Sequence, residues 1–181
     1  MIHIETDRLI LRDWLPNDIA PFIALNQDPE VMEFLLPVTE KRVEEMIEMF
    51  KNHITSYGYG LFACEVKDSS EFIGFVGLNI PSFTAHFTPC VEIGWRLARK
   101  AWYQGYATEA AKAVLESGFN RCHLDEIVAF CGRGNNRSRK VMEKIEMIHD
   151  LKGDFIHPKV PENHPLQWHV LYRLTKKIYN Q

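Results

Sequence analysis

The chain has 181 residues, a length that suits one compact domain with a substantial core. Hydrophobic residues make up 46% of it and charged residues 25%, which excludes a disordered protein. The formal net charge of -3, from 21 Lys and Arg against 24 Asp and Glu, excludes a global field that attracts nucleic acid or an anionic membrane. We therefore expect a single domain over residues 1–181, with no direct binding to nucleic acid or membrane.

Neither a targeting signal nor a metal-binding pattern is evident. Residues 1–8 lack the basic start and apolar stretch of a signal peptide, and no apolar run reaches the ~18 residues of a spanning helix, so we expect a cytoplasmic protein. The cysteines form no C-x-x-C pair and the C-terminal histidines match no ligand spacing, which favours buried thiols over a disulfide scaffold and predicts no metal site. These residues are Cys64, Cys90, Cys122, Cys131, His149, His157, His164 and His169.

The first half of the chain contains a strand, two helical stretches and a hairpin. Residues 9–14 are predicted to form a strand, after which Pro16 opens a helical stretch. Apolar residues recur every three or four positions over 39–57, which predicts a helix. Residues 62–66 and 72–78 are β-rich runs separated by a short polar segment, and they predict an antiparallel hairpin.

The second half alternates strands and helices. Residues 90–97 are predicted to form a strand that leads through a glycine turn into a helix at 107–120. A strand at 126–131 and a helix at 137–145 follow. This order favours a right-handed βαβ unit within a mixed sheet.

The turn before the helix at 107–120 is a candidate anion site. The first N–H groups of a helix have no internal partners, and the helix dipole adds a partial positive charge there. Gly105 has no side chain to block the approach of a phosphate group. A single glycine at such a turn is also common in purely structural turns, so the turn alone leaves both interpretations open.

Two motifs resemble the GNAT superfamily of N-acetyltransferases. The sequence VEIGWRL at 91–97, followed by WYQGYATEA at 102–110, is similar to its acetyl-CoA motif, Q/R-x-x-G-x-G/A. The sequence NNRSRKVMEKI at 135–145 resembles the N-x-x-S-x-x-V-x-E-K segment of the RimJ/RimL-like branch. Further similarity at 6–12 and in the C-terminal tail extends the resemblance over nearly the whole chain.

This resemblance implies an α+β fold, in which a V-shaped, mostly antiparallel mixed sheet is flanked by helices around a central βαβ cofactor unit. It implies acetyl transfer from acetyl-CoA, as co-substrate and without a metal, directly to a primary amine. It also assigns cofactor contacts to the strand, the turn and the second motif. These residues are Trp95, Arg96, Leu97, Tyr103, Gln104, Gly105, Tyr106, Ala107, Thr108, Asn135 and Arg139.

The chain departs from the branch at two positions where glycine is usual. Tyr103 is the first residue of the cofactor turn, and Glu146 follows the helix predicted at 137–145. If either position needs a left-handed backbone, its side chain costs about 1 to 2 kcal/mol. Both positions act through the backbone, so we expect these changes to affect affinity more than chemistry.

Three residues are candidates for proton transfer. Acetyl transfer needs a neutral amine and a proton for the departing thiolate. Glu92 lies on the cofactor strand and is the candidate base, unless it is an ordinary paired or exposed glutamate. Ser138 matches the serine proposed as the acid in RimL-like enzymes, or it bonds a backbone amide at a helix start. Tyr172 is a further donor, or a core aromatic.

The identity of the acceptor stays open. The branch resemblance favours a protein N-terminal α-amine, and a small-molecule amine such as a polyamine, aminoglycoside or amino acid is the alternative. A non-catalytic acyl-CoA-binding module is a further alternative. Acceptor specificity in this fold lies at about 17–57 and in the long loop predicted at 150–165, before a last strand at 167–175. The chain is expected to act as a monomer or homodimer.

Overall fold

The computed structural model describes residues 1–181 and contains nine strands in one sheet with five α-helices. The strands are β1 Ile2–Glu5, β2 Leu9–Arg12, β3 Leu61–Val66, β4 Glu71–Asn79, β5 Glu92–Leu97, β6 Glu126–Gly132, β7 Ile148–His149, β8 Phe155–Ile156 and β9 Trp168–Thr175. The helices are α1 Ile19–Gln27, α2 Glu40–Tyr57, α3 Tyr106–Asn120, α4 Asn136–Lys144 and α5 Lys176–Tyr179. None of the helices combines the length and the apolar character needed to cross a membrane.

The sheet has the order β1-β2-β3-β4-β5-β6-β9-β7, with β8 paired to β9. Every neighbouring pair is antiparallel except β5 and β6, which are parallel and joined through α3. The parallel pair is registered only at Glu92 and Val128, so β5 and β6 diverge after that point. This divergence gives the sheet a V shape and confirms the expected α+β fold with its central βαβ unit.

Helices cover both faces of β4. Phe75 points towards α1 and α2, where its ring lies 5.9 Å from that of Phe22 and 5.4 Å from that of Phe50. Leu78 points to the opposite face, because side chains alternate along a strand. There α3 packs so closely that a Cβ on Gly118 would lie 3.2 Å from Leu78 Cδ1. The sheet is therefore the central layer of the core.

The hairpin and the alternating second half are confirmed, but short strands at the sheet edges were missed. Residues 150–165 were predicted as one loop, which is wrong because β8 lies within them and pairs with β9. The prediction also omitted β1 and β7. A strand of two residues has no periodicity to detect, and its position depends on a neighbour distant in sequence.

Both ends of α2 follow local sequence signals. Thr39 caps the first turn, since its hydroxyl accepts a hydrogen bond from the Arg42 N–H at 3.2 Å. Gly58 ends the helix with a φ of 72°, in the left-handed region that glycine adopts without strain. The helix predicted at 39–57 is thereby confirmed.

The end of α4 has the same geometry without a glycine. Glu146 has a φ of 64°. Its N–H donates to Glu143 O at 3.0 Å, and the N–H of Met147 donates to Met142 O at 3.0 Å, which together form a Schellman motif. The helix therefore ends as it would with glycine, and Glu146 is strained.

Replacing Glu146 with glycine should raise the free energy of unfolding by about 1 kcal/mol, because glycine adopts the left-handed region without a Cβ clash. Glu146→Ala is the matched control, since it also removes the carboxylate but keeps the Cβ. Urea denaturation followed by circular dichroism measures both variants. A glycine variant no more stable than the alanine variant would contradict the strain at this position.

Candidate active site

The divergence of β5 from β6 opens a cavity of about 600 Å³. This volume lies in the range of pockets that bury small-molecule ligands. Its walls are β5, the turn before α3, the first turns of α4 and residues that follow α1. Most of the residues predicted for cofactor binding and catalysis line it, namely Glu92, Trp95, Arg96, Leu97, Tyr103, Gly105, Tyr106, Ala107, Thr108, Asn135 and Ser138.

The start of α3 presents a row of free amides to this cavity. Gly105 precedes the helix with a φ of 84°, and its carbonyl accepts the first helical hydrogen bond, from Glu109 N at 3.0 Å. The N–H groups of Tyr106, Ala107 and Thr108 have no acceptor within the protein. Free amides at the positive end of a helix dipole are suited to bind an anion such as phosphate.

Tyr103 adopts a left-handed backbone, which is the case in which a side chain at this position is costly. Its φ is 60°, so the strain of about 1 to 2 kcal/mol is present. The side chain is 89% exposed, and its ring meets that of Trp102 edge-on at 6.5 Å. The tyrosine therefore lines the cavity while most of its surface stays exposed to solvent.

A cluster of polar contacts fixes the turn to the N-terminal segment. Glu109 in the first turn of α3 accepts hydrogen bonds from Thr6 Oγ1 at 2.6 Å and from Arg8 Nε at 2.7 Å. Arg8 also donates to the carbonyl of Gln104 at 3.0 Å and lies over the Tyr106 ring at 4.6 Å. Burial acts to raise the pKa of Glu109, but these hydrogen bonds outweigh it and hold the pKa below its ordinary value.

Glu92 lies where the two strands begin to separate. It is the β5 residue in register with β6, and Asn79 stands directly opposite it on β4. Burial raises the pKa of Glu92 to about 8, although a hydrogen bond with the Asn79 side chain acts in the other direction. A carboxyl group with this pKa can accept and release protons near neutral pH, as acid–base chemistry requires.

The first turn of α4 brings a capping residue and a free hydroxyl to the cavity. Asn135 caps the helix, because its Oδ1 accepts a hydrogen bond from Ser138 N at 3.1 Å. The Ser138 side chain makes no hydrogen bond within the protein and lines the cavity. The serine is thus not the capping residue that one interpretation of the sequence proposed.

The sequence matches one known family. A family model described as an acetyltransferase (GNAT) domain matches residues 8–148. The chain belongs to this GNAT acetyltransferase family. It is therefore an acyltransferase enzyme with the N-acetyltransferase activity that uses acetyl-CoA.

The chain is similar to proteins of comparable length. The Bacillus subtilis protein YkkB is 37% identical over 80% of this chain and 84% of its own. The N-acetyltransferase YnaD of the same organism is 32% identical over 81% of this chain and 82% of its own. A solved GNAT acetyltransferase from Bacillus anthracis superposes with a TM-score of 0.78 at 27% identity, covering 98% of this chain and 99% of that one.

Two more distant GNAT structures share the fold. RimL, the L7/L12 α-N-protein acetyltransferase solved with coenzyme A, has a TM-score of 0.77 at 14% identity and covers 98% of this chain and 99% of its own. The Vibrio cholerae spermidine N-acetyltransferase, solved with coenzyme A and spermine, has a TM-score of 0.73 at 19% identity, with 96% and 98% coverage. One acts on a protein and the other on a polyamine, so this likeness does not specify an acceptor.

Two residues that the GNAT resemblance assigned to the cofactor do not face the cavity. The amide of Gln104 donates to the carbonyl of Lys100 at 2.7 Å, although its own carbonyl remains part of the turn. Arg139 donates through Nε to the Tyr172 hydroxyl at 3.3 Å. Helical spacing explains the position of Arg139. Lys140 and Lys144, four residues apart, share the side of α4 that faces the cavity, and Arg139 does not lie on that side.

The aromatic side chains divide between the core and the cavity. Tyr172 is 1% exposed, and its hydroxyl donates to Glu143 at 3.3 Å, so the structure gives it a core position. Trp14 is also in the core, whereas Trp168 is half exposed and outside the cavity. The aromatics that line the cavity are Phe34, Phe75, Trp95, Trp102, Tyr103, Tyr106 and Phe130.

The sequence did not single out three further cavity residues. Asn79 reaches Glu92 only through the register of β4 with β5, which no local pattern reveals. His157 and His169 line the cavity with ring centres 4.7 Å apart, and burial lowers the pKa of His169 to about 4. Both had been assigned to loop and strand, and their proximity depends on the pairing of β8 with β9. No group of three or more His, Cys, Asp or Glu side chains gathers as metal ligands would.

Glu92 should titrate with a midpoint near pH 8 in the ligand-free protein, and not near 4.5 as in an unfolded chain. Because the folded chain binds this proton more tightly, the contribution of Glu92 to stability is complete below pH 4.5 and is lost as the pH rises towards 8. NMR of ¹³C-labelled glutamate carboxyls measures the midpoint, and Glu92→Gln identifies the resonance. A midpoint near 4.5 would refute the desolvation of this group.

Proposed function

We propose that this acetyltransferase transfers the acetyl group of acetyl-CoA directly to an α-amine, such as a protein N-terminus. The observation that supports the proposal most is the position of Glu92. It lies where β5 and β6 are still paired, just before they separate, and its pKa is raised to about 8. The free amides of α3 lie at the same cavity. A base and an anion-binding turn therefore serve one ligand site.

The edge of β5 is suited to hold the pantetheine arm. Beyond Glu92, the backbone groups on the side of β5 that faces β6 have no strand partner, because the two strands have separated. Buried backbone groups require hydrogen-bond partners, and the amides of pantetheine supply them. We assign this contact to the backbone of Trp95, Arg96 and Leu97.

The phosphates of the cofactor fit the other end of the cavity. In our proposal the pyrophosphate accepts hydrogen bonds from the N–H groups of Tyr106, Ala107 and Thr108. Asn135 uses its Oδ1 as a helix cap, which leaves its Nδ2 to bond the amide arm. Lys140 and Lys144 line the cavity, and we assign them to the 3′-phosphate, since Arg139 does not line it.

Glu92 is the proposed general base. An α-ammonium group has a pKa near ~8, so a base with the same pKa removes its proton at almost no free-energy cost. The side chain of lysine, near ~10.4, would cost about 3 kcal/mol more with the same base. This match supports an α-amine as the acceptor over a lysine side chain.

Ser138 is the proposed acid that protonates the departing thiolate of coenzyme A. Its hydroxyl is free in the cavity and lies on the helix turn that also carries Asn135. Tyr172, the other candidate, is occupied by Arg139 and Glu143 inside the core. The available hydroxyl therefore favours the serine.

Acceptor-dependent release of thiol from acetyl-CoA tests the proposed function. We expect thiol release with a peptide that has a free N-terminus and an internal lysine. We expect none with the same peptide after its N-terminus is acetylated, although the lysine is still free. Spermidine is the third arm, and we expect it to be poor, since Glu92 is the only carboxyl group lining the cavity. Release with spermidine but not with the free peptide would overturn the acceptor, and tight acetyl-CoA binding without release in any arm would overturn the proposed reaction.

Ser138→Ala should lower turnover by about 10²-fold, the lower range of general acid–base contributions, while acetyl-CoA affinity stays nearly unchanged. Steady-state kinetics and a cofactor-binding titration separate the two effects. Ser69→Ala, in the exposed turn between β3 and β4, is the matched control. Unchanged turnover in the Ser138 variant would remove this hydroxyl from the mechanism.

A further inference from the structure

Arg96 points from β5 towards α1 and α2. It stands directly opposite Phe75 on β4, and its guanidinium carbon lies 5.6 Å from the centre of that ring. Its Nη1 donates a hydrogen bond to Oδ1 of Asn26 on α1. Every second side chain on a strand points to the same face. Arg96 and Glu92 are four positions apart, so they lie on the same side of the sheet. Both side chains line the cavity.

The charge of Arg96 is not balanced by any carboxylate of the protein. None of the ion pairs in the structure includes this residue. Arg12, which is also well shielded from solvent, binds Asp18 and Glu65, each at 2.7 Å. Burial lowers the pKa of Arg96 to about 10, so the guanidinium is still protonated at neutral pH. Arg96 is partly buried, and a partly desolvated cation without a carboxylate partner is suited to bind an anionic group.

Gly94 lies between Glu92 and Arg96 on β5, and it has no side chain to cover the strand there. The Cα atoms of Glu92 and Arg96 are about 13 Å apart along an extended strand. A Cβ on Gly94 would meet nothing closer than Glu92 Oε1 at 3.8 Å and Leu61 Cδ2 at 3.9 Å. The surface between the acid and the guanidinium is therefore open to a small group.

We propose that Arg96 binds a carboxylate of the acceptor, so that the acceptor is a primary amine that also carries an acidic group. This inference rests on the proposed function, in which Glu92 receives the proton of the amine. The amine then lies towards Glu92 and the carboxylate towards Arg96, across the bare strand at Gly94. A guanidinium binds a carboxylate through charge-assisted hydrogen bonds, and it repels a polyamine.

Matched acceptors test the proposal on the full chain with acetyl-CoA. Free alanine is compared with alaninamide, and a peptide that begins with aspartate is compared with the same peptide beginning with asparagine. The amine of alaninamide is the less basic of its pair, so intrinsic reactivity favours the amide over the acid. We expect kcat/KM at least about tenfold higher for the acidic member of one pair or both, which identifies a free amino acid or an acidic N-terminus as the source of the carboxylate.

The variants Arg96→Gln and Arg96→Lys assign the preference to this side chain. We expect Arg96→Gln to remove it through the KM of the acceptor, with acetyl-CoA affinity retained, and Arg96→Lys to keep part of it. Arg121→Gln, at the far end of α3, is the control for loss of a positive charge. A merely structural Arg96 would lower activity equally for both members of a pair.

The outcomes separate this inference from the proposed function. Equal kcat/KM within both pairs of acceptors, or a preference that survives Arg96→Gln, would overturn the role of Arg96 while the acetyltransferase reaction stands. Thiol release with none of the four amines would overturn both. The comparison of acceptors with the unmodified chain needs no variant, so it decides the question even if Arg96→Gln does not fold.

Discussion

The separation of β5 from β6 after one residue pair is the constraint on which the site depends. Neighbouring strands normally lie about 4.8 Å apart and satisfy one another's backbone groups. Here the separation leaves one edge of β5 without a partner strand. Glu92 lies where the two strands are still paired, and α3 begins beside the end of β5 where they have separated. The two ends are about 16 Å apart along β5, so an extended cofactor can place its phosphates at one end and its thioester near the other.

The sequence predicted the features that local patterns encode. The helix at 39–57 has periodic apolar residues, with its N-cap at Thr39 and its C-cap at the next residue, Gly58, and the glycine turn before α3 is a contiguous motif. It could not show which way Arg139 points or that Asn79 faces Glu92, because helix rotation and strand register depend on packing against distant segments. The proximity of His157 and His169 was hidden for the same reason.

Burial has opposite chemical consequences for the two charged residues on one face of β5. Glu92 is an acid whose charge is disfavoured, so it holds its proton up to a pH of about 8. Arg96 undergoes the same desolvation but stays charged at neutral pH, because its ordinary pKa is so high. The same desolvation therefore provides a carboxyl group that exchanges its proton near pH 8 and a guanidinium that stays positively charged.

The contacts of Arg8 with Glu109 tie the N-terminal segment to the anion-binding turn. These residues are 101 positions apart, and contacts of such separation are slow to form because loop closure is entropically costly. In the folded chain these contacts hold the turn against the segment between the first two strands. A ligand that stabilises the turn therefore also stabilises the packing of β1 and β2 against α3. Neither strand lines the cavity, yet amide hydrogen exchange in both should become slower when a ligand occupies it.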